Sequence, residues 1–445
     1  MTVHYGSARR QHRYVSSGGG GLSPAFSASF LNTNTVPTGF TQSVSNPHTI
    51  FASSGLLVVN PTNLFDYDPV TLSSKGWLAE TAATNICLQS NFAATWTQYN
   101  AGDATSAAST TGPDNGASSG ATYTNGSANS THGTKQTITV TASTTYTFSV
   151  LAAWDGLTTP YVYLSINNGS TSFYTVVFNL QTGAIVTSTS GGASFTGGAN
   201  GITAVNNSTV TASLVTVGWT STNGFYRPYV TVTTAAGVTS MIVAVGPAGS
   251  AAPTYSNGIP TYTAVGESVI LYGAQLEANP FPTSLVPTTT ASVARGAATL
   301  NSSAITWYNS SAGTAICVFD AINFPRATQQ NIFSIGTTTT LGMDAAIAAN
   351  ASTTLASFDA NATTSLGTIT RNTQAKIGVT YDGTTNSGCL NGGTVVAAGT
   401  QASITAPTLL RFNYGAGTQA FYGHIKSFQY YASRVTNAQL QTLTT

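Results

Sequence analysis

Only 6% of the 445 residues are charged and the formal net charge is +1, where a soluble domain ordinarily carries about 25% charged residues. Ser, Thr, Asn and Gly must therefore keep the surface wet, and no whole-protein field is available to attract nucleic acid or an anionic membrane. With 41% apolar and 10% aromatic residues the chain is too rich in core formers for disorder. It also exceeds the roughly 250 residues at which a single core stops growing, so more than one domain is expected. Four Lys and three Glu leave little from which to write surface helix, whereas Thr, Val, Tyr and Phe suit pleated strands.

In chain order, residues 1–60 stand apart: Arg9, Arg10, His12 and Arg13 cluster, Gly18–Gly21 follow, and the first acidic side chain is Asp66. They read as an attachment arm, with Arg9, Arg10 and Arg13 as its contacts. No apolar stretch here has the length of a secretory signal and no later run approaches a membrane span, so synthesis in the cytoplasm and no membrane insertion are expected. Residues 61–280 read as a first β-sandwich. From Lys135, the segment KQTITVTASTTYTFSVLAAW places Ile138, Val140, Tyr146, Phe148 and Val150 on even positions, the period of a half-buried hairpin. Runs from Tyr161, Phe173, Tyr226, Met241 and Ser268 repeat the pattern between Gly/Asn/Ser clusters, as in a sandwich or jelly roll.

Residues 281–296 hold prolines and a Thr run without periodicity and read as an extended linker. Strands resume over 297–445 as a second sandwich, with a turn at Asn391-Gly392. Thr436 and Gln439 have capping-box spacing ahead of Leu440 and Leu443, which predicts one short terminal helix. The fold class expected is all-β: two tandem antiparallel sandwiches behind an extended N-terminal segment.

Chemistry is sparse. Glycan hydrolysis needs two carboxylates about 5 to 9.5 Å apart across a sugar, and the only close pair, Asp66 and Asp68, precedes Pro69 and reads as turn or N–H capping duty. Asp103 and Asp114 also read as turn chemistry. His4, His12, His48, His132 and His424 have no sequence-local acid or nucleophile, and no phosphate-loop, dinucleotide or zinc spacing is present. No catalytic residue and no enzyme activity are expected. Cys87, Cys317 and Cys389 are too few and too scattered for a disulfide framework and read as buried small hydrophobes. No cofactor is required; calcium has two weak candidates, Asp382 and Asn391, which Asp-Gly and Asn-Gly turns explain without a metal. Aromatic faces beside polar groups suit sugars: Trp154 with Asp155, Tyr161 with Tyr163, and Tyr422 with Tyr430 and Tyr431, although core packing explains most such aromatics.

Two stretches resemble a known family. FDYDPVTLSSKGWLAETAATNICLQSNFAATW, residues 65–96, is similar to a signature of phage virion and tail-fibre-like proteins. There an FDYDPVT phrase leads into a GLLIEEARTNLLLYSEDF-like phrase and then a tryptophan. LYGAQLEANPFPTSLVPTTTASVARGA, from Leu271, resembles the phrase that closes the same module. Residues 297–445 resemble the laminin-G or concanavalin-like sandwich that often follows, through VTYDG at Val379–Gly383, LNGG at Leu390–Gly393, FYGHIKSFQYYASR at Phe421–Arg434 and TNAQLQTL. Trp77 and Ala79-Glu80 depart from the family's aliphatic residue and Glu-Glu pair. The resemblance implies a carbohydrate-binding-module-like jelly roll followed by a laminin-G-like domain. It implies a bacteriophage structural protein exposed on the virion as a tail fibre, head fibre or capsid decoration. Its partners would be other virion proteins held through the N-terminal arm, further copies in a homo-oligomer such as a trimer, and host surface glycan. A dedicated receptor-binding lectin of the tail is the alternative, and a capsule depolymerase a third reading that the scarcity of acids disfavours.

Overall fold

The computed structural model describes residues 22–45, 47–156, 158–204, 224–322, 328–337, 343–349, 351–358, 362–398, 407–413 and 420–445. The protein is all-β, as its composition requires: antiparallel sheets build two sandwiches, and the one helix named among the described residues is Asn437–Thr444.

The first sandwich stacks two six-stranded sheets. One runs Phe195–Ala204, Phe225–Thr234, Thr145–Ala153, Ser268–Glu277, Gly120–Thr124, Ala104–Thr110; the other runs Ala184–Gly191, Phe173–Asn179, Tyr161–Asn167, Ser240–Pro247, Thr134–Thr139, Thr97–Gln98. Ile138, Val140, Tyr146, Phe148 and Val150 all enter the core between them, so the even-position reading holds. The hairpin does not. Thr134–Thr139 pairs with Ser240–Pro247, while Thr145–Ala153 pairs with Phe225–Thr234 and Ser268–Glu277. The connection is an arch between sheets, passing through Ser143 at φ 53. Alternation reports which side chains face a core, and two strands facing one core from opposite sheets carry the same pattern as a hairpin.

The second sandwich corrects the expected domain boundaries. Its eight-stranded sheet contains Gln374–Tyr381, Gly313–Ala321 and Gly423–Tyr431, and then Ser74–Ala79 and Phe65–Tyr67, with Phe26–Ser29 also paired to Gly423–Tyr431. Its seven-stranded sheet runs from Thr41–Ser43 through Thr299–Ser302, Leu409–Phe412, Gln330–Gly336, Met343–Ile347 and Thr353–Phe358 to Ala362–Thr368. The strands Phe26–Ser29, Thr41–Ser43, Phe65–Tyr67 and Ser74–Ala79 thus belong to the C-terminal sandwich, and the first sandwich is inserted into it. The arm read over 1–60 supplies paired strands at Phe26–Ser29, Thr41–Ser43, Thr49–Phe51 and Leu57–Val59. Phe30 is fully buried, edge-on to Phe40 and Phe412 at ring distances of 5.6 and 5.5 Å, a burial of about 2 kcal/mol that a tethered arm would forgo. Arg9, Arg10 and Arg13 lie outside the described residues.

Residues 281–296 are also no free linker. Phe281, Leu285 and Val286 are buried, and Val293–Arg295 pairs with Ala83–Asn85. Elsewhere the reading stands. Asn391 and Gly392 both have positive φ, 48 and 68, and Gly393 N–H donates to the Leu390 carbonyl at 2.9 Å, a type I′ turn. The terminal helix has its capping box at Thr436 and Gln439, and all three cysteines are buried and unbridged.

Candidate binding cleft at the junction of the sandwiches

Where the inserted sandwich leaves and rejoins its host, the two distinctive phrases interlock. Asn85 is fully buried; its amide donates to the carbonyls of Ala274 (3.0 Å) and Val286 (2.9 Å) while its oxygen accepts from the N–H of Cys87 and Leu276, each at 3.0 Å. Glu80, also fully buried, accepts from Ser284 N–H (3.0 Å) and Ser284 O–H (2.8 Å) and faces His48 Nδ1 (2.9 Å). The guanidinium of Arg295 lies 3.4 Å from Glu80 and donates to the Ser284 hydroxyl at 2.6 Å and its carbonyl at 3.1 Å. Burial alone would push the Glu80 carboxyl up, but Arg295 and His48 hold it below the usual range. Glu277, at the same junction, accepts from Gln275, Asn279 and both donors of Thr283. A segment with no strand period is thus fixed by side-chain-to-backbone bonds.

Beside this junction lies a cleft of about 470 Å³. The inserted sandwich supplies Leu151, Arg227 and Tyr229; the host supplies Asp66, Asp68, Lys75, Asp320, Arg371, Tyr422 and His424; the hairpin of Thr49–Phe51 and Leu57–Val59 supplies Ile50, Phe51 and Leu57. Leu57 closes the apolar seam by packing with Leu151, Phe225, Tyr272 and Leu285 on the outer face of the inserted sandwich.

Inside the cleft the structure assembles a cluster that sequence reasoning missed. His424 lies between two carboxylates: Nδ1 is 2.8 Å from Asp320 and Nε2 is 3.0 Å from Asp66. The second oxygen of Asp320 faces Lys426 at 3.1 Å, and that of Asp66 accepts from Phe51 N–H at 2.7 Å. Burial works against every charge here, yet His424 and Lys426 pull the Asp320 carboxyl down to about 2. Likewise burial lowers His424, and its two carboxylates more than reverse this and raise it. The partners are distant in sequence but adjacent across strands Phe65–Tyr67, Gly313–Ala321 and Gly423–Tyr431; alternation in FDYD was the only local signal. Asp68 keeps its expected duty, accepting from Val70 N–H (3.0 Å) and Thr71 N–H (2.8 Å). Asp66 does more than cap a turn: it ties the N-terminal strands to the C-terminal sheet.

Two acids thus meet in a cleft, but each carboxylate oxygen is taken. A glycosidase needs one carboxyl kept protonated near neutral pH, and Asp320 is displaced in the opposite direction. The geometry is that of a clasp. A second such site, remote from the cleft, joins His132 Nδ1 to Asp103 at 2.8 Å, with Tyr123 O–H donating to the same carboxylate at 2.6 Å; the turn reading of Asp103 understates it. Asp114 is a turn residue, accepting from Gly116 N–H and Ser119 O–H.

The sugar candidates are not brought together. Tyr163 is fully buried, its hydroxyl donating to the His132 carbonyl at 2.7 Å, and has no face for a ligand. Tyr161 packs with it on the outer side of one sheet, whereas Trp154 packs against the inner core and Asp155 accepts from Ser268 O–H. Tyr422 reaches the cleft but is buried and stacked on Phe281 at 5.5 Å. Tyr430 and Tyr431 are buried as well. The calcium candidates lie at opposite ends of the Gln374–Tyr381 and Asn386–Leu390 pair: Asp382 accepts from Thr384 and Thr385 N–H, and Asn391 from Lys376 N–H. Five residues of strand lie between them, a span of roughly 20 Å, so they cannot share one ion.

No protein-family model and no curated protein matches the sequence. Solved structures resemble parts of it. A heptameric SAP-like pentraxin from Limulus polyphemus is 14% identical over 30% of this chain and 70% of that one, TM-score 0.25. The carbohydrate-binding module of the Ruminococcus gnavus IT-sialidase, bound to alpha2,3 sialyllactose, is 15% identical over 32% and 87%, TM-score 0.27. A mutant NanB sialidase from Streptococcus pneumoniae is 11% identical over 31% and 25%, TM-score 0.27. Similarity at this level assigns neither ligand nor activity to this chain.

Proposed function

We propose that this protein is a non-catalytic structural component of a bacteriophage particle, displayed on the virion surface as a homo-oligomer and contacting host glycan. The observation that carries the reading is the interlocking of the opening phrase, through Glu80 and Asn85, with the closing phrase, through Ala274, Ser284 and Val286. The pair of phrases that resembles virion proteins is the device that seats one sandwich inside another. A surface wetted by hydroxyl and amide groups, with acids spent on buried clasps, suits display better than turnover.

Strands at Phe26–Ser29, Thr41–Ser43, Thr49–Phe51 and Leu57–Val59 build residues 26–60 into the fold, so attachment falls to residues 1–21 with Arg9, Arg10 and Arg13. Deleting residues 1–21 should leave the purified protein folded while abolishing its incorporation into particles; normal incorporation would refute attachment through this segment. The cleft favours one second reading, a receptor-binding lectin of the tail. That reading predicts that the purified protein blocks adsorption of the phage to its host, whereas display alone predicts no block. Release of reducing ends from host capsule would overturn both.

A further inference from the structure

The acids of the junction cleft are matched from within. Asp68 faces Lys75 at 3.6 Å, and Asp66 and Asp320 share His424, with Lys426 on Asp320. Arg227 touches no such partner. Its guanidinium donates to the Thr283 carbonyl at 2.6 Å and the Ser149 hydroxyl at 3.0 Å, both neutral, and its buried Nε–H meets no acceptor. The fields of Glu277 and Glu80 reach it, but neither carboxylate forms an ion pair with it, Glu277 being bonded instead to Gln275, Asn279 and Thr283. Among the described residues Arg227 forms no ion pair. A guanidinium stays charged in proteins, offers five N–H donors in a planar fork and fits a carboxylate bidentately, and Arg227 is only half-buried in the wall of the cleft.

Two positions along the same strand, and so on the same face, the half-buried Tyr229 also lines the cleft, as does Arg371 of the host sandwich. A volume of about 470 Å³ falls among small-molecule sites, about 300 to 1,000 Å³, and Phe51, Leu57 and Leu151 give it an apolar side. A lone inorganic anion would leave that side unused. We propose that this cleft binds a carboxylate-bearing saccharide unit, the carboxylate seated on Arg227 and the pyranose ring against Tyr229. The proposal rests on the glycan-contact reading above and names the ligand class.

The test titrates the full-length protein with a uronic-acid oligosaccharide and, in parallel, with the same oligosaccharide after its carboxyls are reduced to alcohols, read by calorimetry. The acidic form should bind at least about tenfold more tightly. Arg227→Lys, which keeps the charge but loses the fork, and Tyr229→Ala should each weaken it by about tenfold or more, with Trp154→Phe unchanged. Tyr229→Ala keeps the test valid should Arg227→Lys fail to fold. Equal binding of the two forms, no binding at millimolar ligand, or binding indifferent to both cleft variants would overturn the proposal. Adsorption of the purified protein to host cells without uronate binding would sink this inference and leave the glycan-contact reading standing; loss of adsorption alongside cleft binding would do the reverse.

Discussion

The two sandwiches are made of the same residue types but are encoded differently. The inserted one draws its two main sheets from a single stretch, Thr97–Glu277, whereas its host is assembled from Phe26–Ala79 and Thr299–Tyr431, with the other sandwich between. A sandwich encoded in one stretch can close on local information. A split one depends on contacts between chain ends, and it is there that the Asp66, His424 and Asp320 clasp lies. The largest expected effect follows from this difference. Residues 83–291 produced alone should unfold cooperatively on heating, while residues 297–445 alone should show no cooperative transition, because Phe412 and Phe428 lose Phe30, Phe40 and Phe26. Circular dichroism melts of the two fragments check this, and co-expression of residues 22–81 with 297–445 should restore the transition. A cooperative melt from 297–445 alone would mean that the N-terminal strands decorate a domain that does not need them.

The same contrast explains what could be read from the chain and what could not. Alternation placed Ile138, Phe148 and Val150 in a core because a strand's period is a local property. It could not decide between hairpin and arch, since pairing is set by strands a hundred residues on. FSASF, residues 26–30, carries a legible period-two signal in Phe26, Ala28 and Phe30; the basic cluster and glycine run ahead of it drew the whole segment into an arm. The site was less legible still. Asp66 and His424 are separated by 358 positions, and Arg227 sits in a run, YRPYVTVTT, that declares a strand and hides a half-buried cation in the cleft wall. Sequence spacing finds only sites whose residues are neighbours along the chain.

The clasp itself gives a second, smaller effect with a pH signature. Asp320 is depressed from 3.8 to about 2, so its contribution is full above 3.8 and is lost as pH falls through 2. His424 is raised above 6.5, so its contribution is full below 6.5 and is lost as pH rises through its folded value. Both are complete only between pH 3.8 and 6.5. Asp320→Asn, which leaves His424 and Lys426 short of a carboxylate, should cost about 3 kcal/mol in that window, and the gap from wild type should narrow toward pH 2 and again in alkali. Urea titrations at three pH values check this; a pH-independent gap would show that packing, not charge, holds the split sandwich together.

The smallest effect concerns the end of the host sandwich that relies on local sequence. Thr436 accepts from Gln439 N–H at 3.2 Å and Gln439 returns a bond to Thr436 N–H at 2.9 Å, and the helix so capped presses Leu440 onto Ile316, Cys389 and Tyr431. Thr436→Ala should therefore cost about 1 kcal/mol, seen as a shift in the urea midpoint with the slope unchanged. Because the cap is made and satisfied within four residues, the loss should be the same at every pH used for Asp320→Asn. A loss that instead grew in the clasp's own pH window would mean that helix and clasp unfold as one unit, and that the host sandwich is cooperative from its N-terminal strands to its last turn.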